Sequence, residues 1–340
     1  MTGSSTPARA APGKLSASLP DEVVAFLRKH SLAAPGEVPA AAALSGGVSS
    51  DIWRVELRSG TVAVKRALPR LRVAQLWEAP VERNRYERLW LETAARAVPG
   101  AAPRVLAHDD AAGLFAMECL DYPLWKSELR EGRADPAFAA RVGASLAGIH
   151  AATAGREDLA RLFATDEIFH AIRLEPYLLA TARRHPDLNS QLGFLVDRTA
   201  ATRLALVHGD VSPKNILVGP RGPIFLDAEC AWYGDPAFDL AFCLNHLLLK
   251  CAWVPTCAPQ FLGCFDALAT GYLGEFAPAG LEARAATLLP GLLLARVDGK
   301  SPVEYLTEPA QQQRVRAVAR ALLMDPRDTL GAVRAAWQGS

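Results

Sequence analysis

Between about residues 40 and 120 apolar and polar side chains alternate with period two. Beyond "CLDYP" at 119–123 they recur at helical spacing almost to the last residue. A two-residue period places one face of a strand inward and a 3.6-residue period does the same for a helix, so the switch divides the chain. In the first part "IWRVEL", "TVAVKRA", "RVLAHD" and "GLFAMECL" read as strands, with the turn "RSG" between the first two and a charged helix over 80–97. A short helix over 20–31, with Val23, Val24, Phe26 and Leu27 on one face, precedes them. In the second part 136–153 reads as a buried helix, 166–204 holds at least two more, and "DPAFDLAFCLNHLLLK" begins a helical run to "AVRAAWQ". The expectation is an α+β, two-lobed chain: residues 1–19 a flexible tail, 20–120 a small antiparallel-sheet lobe, and 121–340 a larger helical lobe.

A net charge of +1 removes the electrostatic case for a nucleic-acid or membrane-surface partner. The longest apolar stretch, "AFCLNHLLLKCAWV", is interrupted by Asn245, His246 and Lys250, so no membrane span is expected. The first twenty residues carry no apolar signal-peptide core. Six cysteines without a C-x-x-C pair, most inside apolar segments, read as buried thiols of a cytoplasmic protein rather than a disulfide framework.

One helical-lobe segment breaks the pattern. "LVHGDVSPKNILVGPRGPIFLDAE", 206–229, sets Asp210, Asn215 and Asp227 around two short apolar runs, "NILV" and "IFLD", joined by a turn at 219–223. Paired as a hairpin, the runs place Asn215 beside Asp227, and the loop from "HGD" brings Asp210 over the same point. Two carboxylates and an amide oxygen suit a hard cation such as Mg²⁺, which keeps further positions for phosphate oxygens and water. Upstream, "LSGGVSSD" at 44–51 is a turn whose backbone N–H groups, at Ser45, Gly46 and Gly47, and hydroxyls, at Ser49 and Ser50, suit phosphates. Lys65, ending "VAVK" on the next strand, adds a point charge. A buried lysine needs a carboxylate, and the 80–97 helix offers Glu82, Glu87 and Glu92. Glu87 is favoured because Leu91 and Ala95 follow it at helical spacing.

"HGDVSPKN", "FLDAE" and "WYGDPAFDLA" together resemble the aminoglycoside phosphotransferase/choline kinase family, which has the protein-kinase-like fold; the resemblance runs from about 40 to 250. It implies Asp210 as the catalytic base or acceptor-orienting carboxylate, Asn215 and Asp227 as metal ligands, and Lys65 as the phosphate-binding lysine. It also implies that the connector Met117–Leu120, with Glu118 and Cys119, holds the adenine, and that Asp239 caps its helix and braces the catalytic loop. The cofactors implied are ATP or GTP and Mg²⁺, and the partner a small-molecule hydroxyl compound. Asp227 is followed by Ala228-Glu229, not Phe-Gly, and no Ala-Pro-Glu follows. Both departures favour a small-molecule kinase over a protein kinase, and the full set of polar positions argues against a binding module without turnover.

The last thirty residues carry five arginines, Arg314, Arg316, Arg320, Arg327 and Arg334, against Asp325 and Asp328. Lining an acceptor site, they would disfavour a polycation; otherwise they are solvated helix faces. The polar island Arg296, Asp298 and Lys300 either returns toward the catalytic loop or forms an ion pair at a helix end.

Overall fold

The computed structural model describes residues 19–44, 50–68 and 81–339. These form two units, one holding the described residues up to Asn84 with 105–120, the other holding 85–104 and the chain from Asp121 onward.

The first unit is an antiparallel sheet of β1 (Ala40–Ala43), β2 (Ser50–Leu57), β3 (Gly60–Ala67), β4 (Val105–Asp109) and β5 (Leu114–Glu118), in the order β1-β2-β3-β5-β4. Helix α1 (Asp21–Lys29) packs Val23, Phe26 and Leu27 into one apolar cluster with Trp53, Val55, Val62, Val64 and Ala116. Side chains alternate across a strand, so Lys65 stands on the face opposite Val62 and Val64. It is 1% exposed, and its register neighbours are Ile52 and Phe115.

The second unit takes most of α2 (Arg83–Ala97) and then α3 (Trp125–Arg130), α4 (Pro136–Thr153), α5 (Glu157–Leu162) and α6 (Asp166–Phe169). A π-helical stretch, His170–Leu179, leads into α7 (Ala180–Arg184) and α8 (Asn189–Ala201). Pro176 lies inside that stretch; it lacks an N–H, and the wider winding accommodates it. Two antiparallel strand pairs follow: β6 (Ala205–Val207) with β9 (Trp232–Gly234), and the hairpin of β7 (Ile216–Gly219) and β8 (Gly222–Phe225). Four long helices come next, α9 (Ala237–Trp253), α10 (Ala258–Glu275), α11 (Leu281–Asp298) and α12 (Pro309–Met324), and then α13 (Leu330–Gln338). Helix α9 is buried from Ala237 to Ala252, which explains its nearly continuous apolar sequence.

Helices α4 and α10 meet backbone to backbone at two glycines. A Cβ on Gly143 would lie 2.1 Å from the Leu268 carbonyl oxygen, and one on Gly271 would lie 2.4 Å from that of Ala140. Neither obstacle is a side-chain end that can swing away. Gly143→Ala is therefore expected to cost about 1–3 kcal/mol, the usual range for overpacking, read as a lower urea midpoint. A wild-type midpoint would contradict this close crossing.

Candidate active site

Strand β6 is wholly buried and delivers His208-Gly209-Asp210 to its end. Asp239, in the first turn of α9, fixes the turn with both carboxylate oxygens. Oδ2 accepts the His208 N–H at 2.7 Å and Oδ1 accepts the Gly209 N–H at 2.8 Å. Gly209 sits at φ 79°, and a Cβ there would fall 2.7 Å from the Cys230 Cβ. Glycine is thus required for two reasons, backbone hand and space. Asp239 is itself held at 3.2 Å by His150 Nε2, and His150 Nδ1 meets the Tyr272 hydroxyl at 2.6 Å. The α4–α10 crossing thereby reaches the loop through three side chains. Asp239 braces the loop as expected but does not cap its helix; Asp235 accepts the Ala237 N–H at 3.0 Å.

His208 is fully buried, and burial lowers its pKa, holding the ring neutral. Its Nδ1 accepts the Asp210 N–H at 3.1 Å, which leaves Nε2 to donate to the Leu226 carbonyl at 3.0 Å. The ring therefore ties the residue of interest on one loop to the residue preceding Asp227 on the other.

Asp210 is 5% exposed. Its Oδ2 accepts Asn215 Nδ2 at 2.9 Å and lies 3.1 Å from the Arg173 guanidinium and 3.2 Å from Lys214 Nζ. Burial would raise the carboxyl, but Lys214 and then Arg173 more than offset it, and Asp210 is held below the usual carboxylate range. Arg173 also donates to the carbonyls of Gly209 and, at 2.6 Å, Ile172. Neither cation was singled out by sequence reasoning. Lys214 lies within "HGDVSPKN" and an (i, i+4) reading would have found it; Arg173 sits in the π-helical stretch with no local signal.

The hairpin is tighter than expected. Gly219 pairs with Gly222, so the turn is Pro220–Arg221, and Ile216 lies opposite Phe225. Asn215 therefore pairs with Leu226, whose N–H it accepts at 2.9 Å, and Asp227 stands one residue further on. Asp227 takes φ 68°, the left-handed region, which costs a non-glycine residue about 1–2 kcal/mol. Such strain persists where surrounding structure imposes it and concentrates at functional sites. The Asp227 charge also bears on Asp210, opposing its ionisation. The donor set fits a hard divalent cation: Asn215 spends its amide nitrogen on Asp210, so its oxygen is the atom left to join the Asp227 carboxylate.

In the first unit Ser50 opens β2, and its buried hydroxyl has no hydrogen-bond partner among the described residues. Ser45, Gly46, Gly47 and Ser49 lie outside the described residues. Met117 and Glu118 end β5, and Cys119 receives Arg54 Nη1 at 3.8 Å. On α2 Glu87 is buried and Glu92 accepts Arg88 at 3.0 Å, whereas Glu82, exposed, lies just before the helix.

The C-terminal arginines do not build a site. Arg316 pairs with Asp298, Arg320 with Asp187, Arg327 with Asp325 and Arg334 with Asp266, while Arg314 donates to the Trp337 carbonyl. Each is engaged by a partner of its own, so the inference of acceptor charge from them fails. The island at 296–300 does return toward the loop, indirectly. Arg296 donates to the Tyr177 hydroxyl at 3.1 Å and Lys300 to Glu175 at 2.8 Å, both on the stretch that carries Arg173.

A sheet with one helix over it, a helical unit and a buried loop carboxylate beside a short hairpin define a protein-kinase-like phosphotransferase scaffold. The chain belongs to the phosphotransferase enzyme family, whose family model matches residues 40–286, and the family read from the loop motifs is thus the one found. It is 26% identical over 268 residues to a methylthioribose kinase of Pectobacterium atrosepticum, covering 69% of this chain and 66% of that one. The chain thus spans just under two thirds of that relative. A choline/ethanolamine kinase family protein from Mesorhizobium loti shares the fold with a TM-score of 0.53 at 17% identity, over 94% of this chain and 99% of that one. An amicoumacin kinase, solved with AMP-PNP, Ca²⁺ and Ami, also gives a TM-score of 0.53, at 16% identity, over 92% and 98% of the two chains. Among the described residues no helix is long and apolar enough to cross a membrane.

The electrostatics of Asp210 give a signed expectation. Because its folded pKa is depressed, its stabilising contribution is present above the unfolded carboxylate value and is lost as pH falls through the folded one. Lys214→Met removes the larger of the two opposing charges. Carbon-detected NMR titration is expected to show Asp210 protonating at higher pH in that variant; an unmoved titration would contradict the ion pair.

Proposed function

We propose that the protein is a small-molecule kinase that transfers the γ-phosphoryl group of ATP to a hydroxyl of a small metabolite, with Mg²⁺. The carrying observation is the buried Asp210 carboxylate, kept charged by Lys214 and Arg173 and joined through Asn215 to the hairpin that ends in Asp227. Family membership supports the reaction class, and the methylthioribose kinases among the relatives favour a sugar-like metabolite over an antibiotic. The nucleotide analogue and divalent ion in the amicoumacin kinase support the cofactor choice.

Asn215 and Asp227 would hold the cation, which when bound neutralises phosphate charge. Lys65 would carry the phosphates from the sheet, with Glu87 as its counter-charge, and 117–120 would hold the base. Asp210 would align the acceptor oxygen and accept its proton late, since a carboxylate held so low is a weak base in the ground state. Transfer of this kind rests on positioning and charge. Six free cysteines, four of them buried, suit a reducing, cytoplasmic setting.

Asp210→Asn is expected to lower turnover by about 10³-fold or more while leaving AMP-PNP affinity within a few-fold. Asp227→Asn is expected to lose both metal-dependent nucleotide affinity and turnover. The assay is ATP consumption across a hydroxyl-compound library, with mass detection of the product. Near-native turnover in Asp210→Asn would sink the assignment.

A further inference from the structure

Two of the interruptions that break the apolar run of helix α9, His246 and Lys250, lie one turn apart. Lys250 is 1% exposed, and its Nζ has no hydrogen-bond partner among the described residues. It lies 4.0 Å from the centre of the Trp253 ring and 3.7 Å from that of Tyr305. A second ammonium, Lys126 of α3, lies 6.0 Å from the same Tyr305 ring. Two further buried donors of this region lack partners among the described residues, the Tyr305 hydroxyl and Arg296 Nε. Their hydrogen-bonding capacity is therefore unspent, a state that buried polar groups rarely keep.

The charge here is one-sided. Burial, then Lys126, press the Lys250 ammonium down to about 7, with only Glu304 among the acids opposing them. Glu304 is itself exposed and already paired with Lys126. His246 is pushed well down by burial and then by Arg296, Lys250, Lys214 and Lys126, so four cations from four segments act on one buried ring. The set adjoins the transfer site: Leu124, two residues before Lys126, bridges to Leu217 of the hairpin, and Lys214 lies 3.2 Å from Asp210. Aromatic faces offset part of the cost of a buried ammonium, but they do not replace the hydration of a charge without a counter-ion.

We infer that this face is the acceptor subsite for an anionic group, a phosphate or carboxylate, borne by the hydroxyl compound, with Lys250 as its chief counter-charge and Lys126, Arg296 and the Tyr305 hydroxyl completing it. The inference rests on the kinase reading for the role of Asp210, and it deepens that reading by naming the substrate class: a phosphorylated or carboxylated sugar or polyol. The acceptor hydroxyl lies toward Asp210 and the anion toward α9. A polycation is excluded by the same charges.

The test measures binding by calorimetry to the full chain saturated with AMP-PNP and Mg²⁺, using matched probes: ribose against ribose 5-phosphate, and glucose against glucuronate. The phosphate pair and the carboxylate pair separate the two sources of the anion. At least one anionic member is expected to bind ten-fold or more tightly than its neutral parent. Lys250→Met, which keeps the stem and removes the charge, is expected to erase that preference while AMP-PNP affinity stays unchanged. Should Lys250→Met not fold, Lys126→Met is expected to reduce the same preference several-fold. Equal binding of both members in both pairs, or a preference untouched by either variant, overturns the inference. Efficient phosphorylation of methylthioribose alongside equal binding would overturn the subsite and leave the kinase reading standing. Loss of AMP-PNP binding in the wild type would bring down the kinase reading itself, whatever the sugars do.

Discussion

A carboxylate buried as deeply as Asp210 stays ionised only if the protein supplies what water would have supplied. Here Lys214, Arg173 and the Asn215 amide all converge on one oxygen, Oδ2. Their combined pull outweighs a desolvation penalty of several kcal/mol per ion. Arg173 also seizes the Gly209 carbonyl, so the cation that stabilises the charge fixes the backbone beside it. Lys214 is half exposed, and its flexible stem makes it the partner more readily drawn away by an incoming phosphate.

Geometry around that charge is imposed from behind. The close crossing of α4 and α10 sets Tyr272 against His150, His150 against Asp239, and Asp239 against two successive amides of the loop. Removing the Asp239 carboxylate would strand two buried N–H groups at about 1–3 kcal/mol each, a large share of a domain's net stability. On the other side the π-helical stretch carries Arg173 inward, and Arg296 and Lys300 of the α11 end pin the stretch in place. The strain at Asp227 is affordable only within such a frame.

What the sequence disclosed follows from how locally each feature is determined. The hairpin was legible because Gly219-Pro220-Arg221-Gly222 is a turn in its own chemistry, though its tightness shifted the register by one residue. Strands β2, β3 and β5 showed their period, and Asp239 was marked by the motif around it. Strands β6 and β9 were not legible, because three fully buried residues each have no alternation to read. Arg173 was invisible: an arginine within a helical, proline-containing stretch reads as solvent-facing until tertiary packing turns it toward Asp210. The C-terminal arginines misled because a charge count carries no direction. The interruptions at His246 and Lys250 were read only as evidence against a membrane span, yet Lys250 lies buried there without a hydrogen-bond partner among the described residues.

In the proposed reaction Asn215 and Asp227 jointly hold the metal of a bound nucleotide next to Asp210. Paramagnetic broadening by Mn²⁺ in the presence of AMP-PNP tests it directly. The Asn215 side-chain amide and the backbone amides of Asp210 and Asp227 are expected to vanish together at low metal occupancy while those of α13 persist. Sharp signals at Asn215 and Asp227 under saturating Mn²⁺ and AMP-PNP would contradict it.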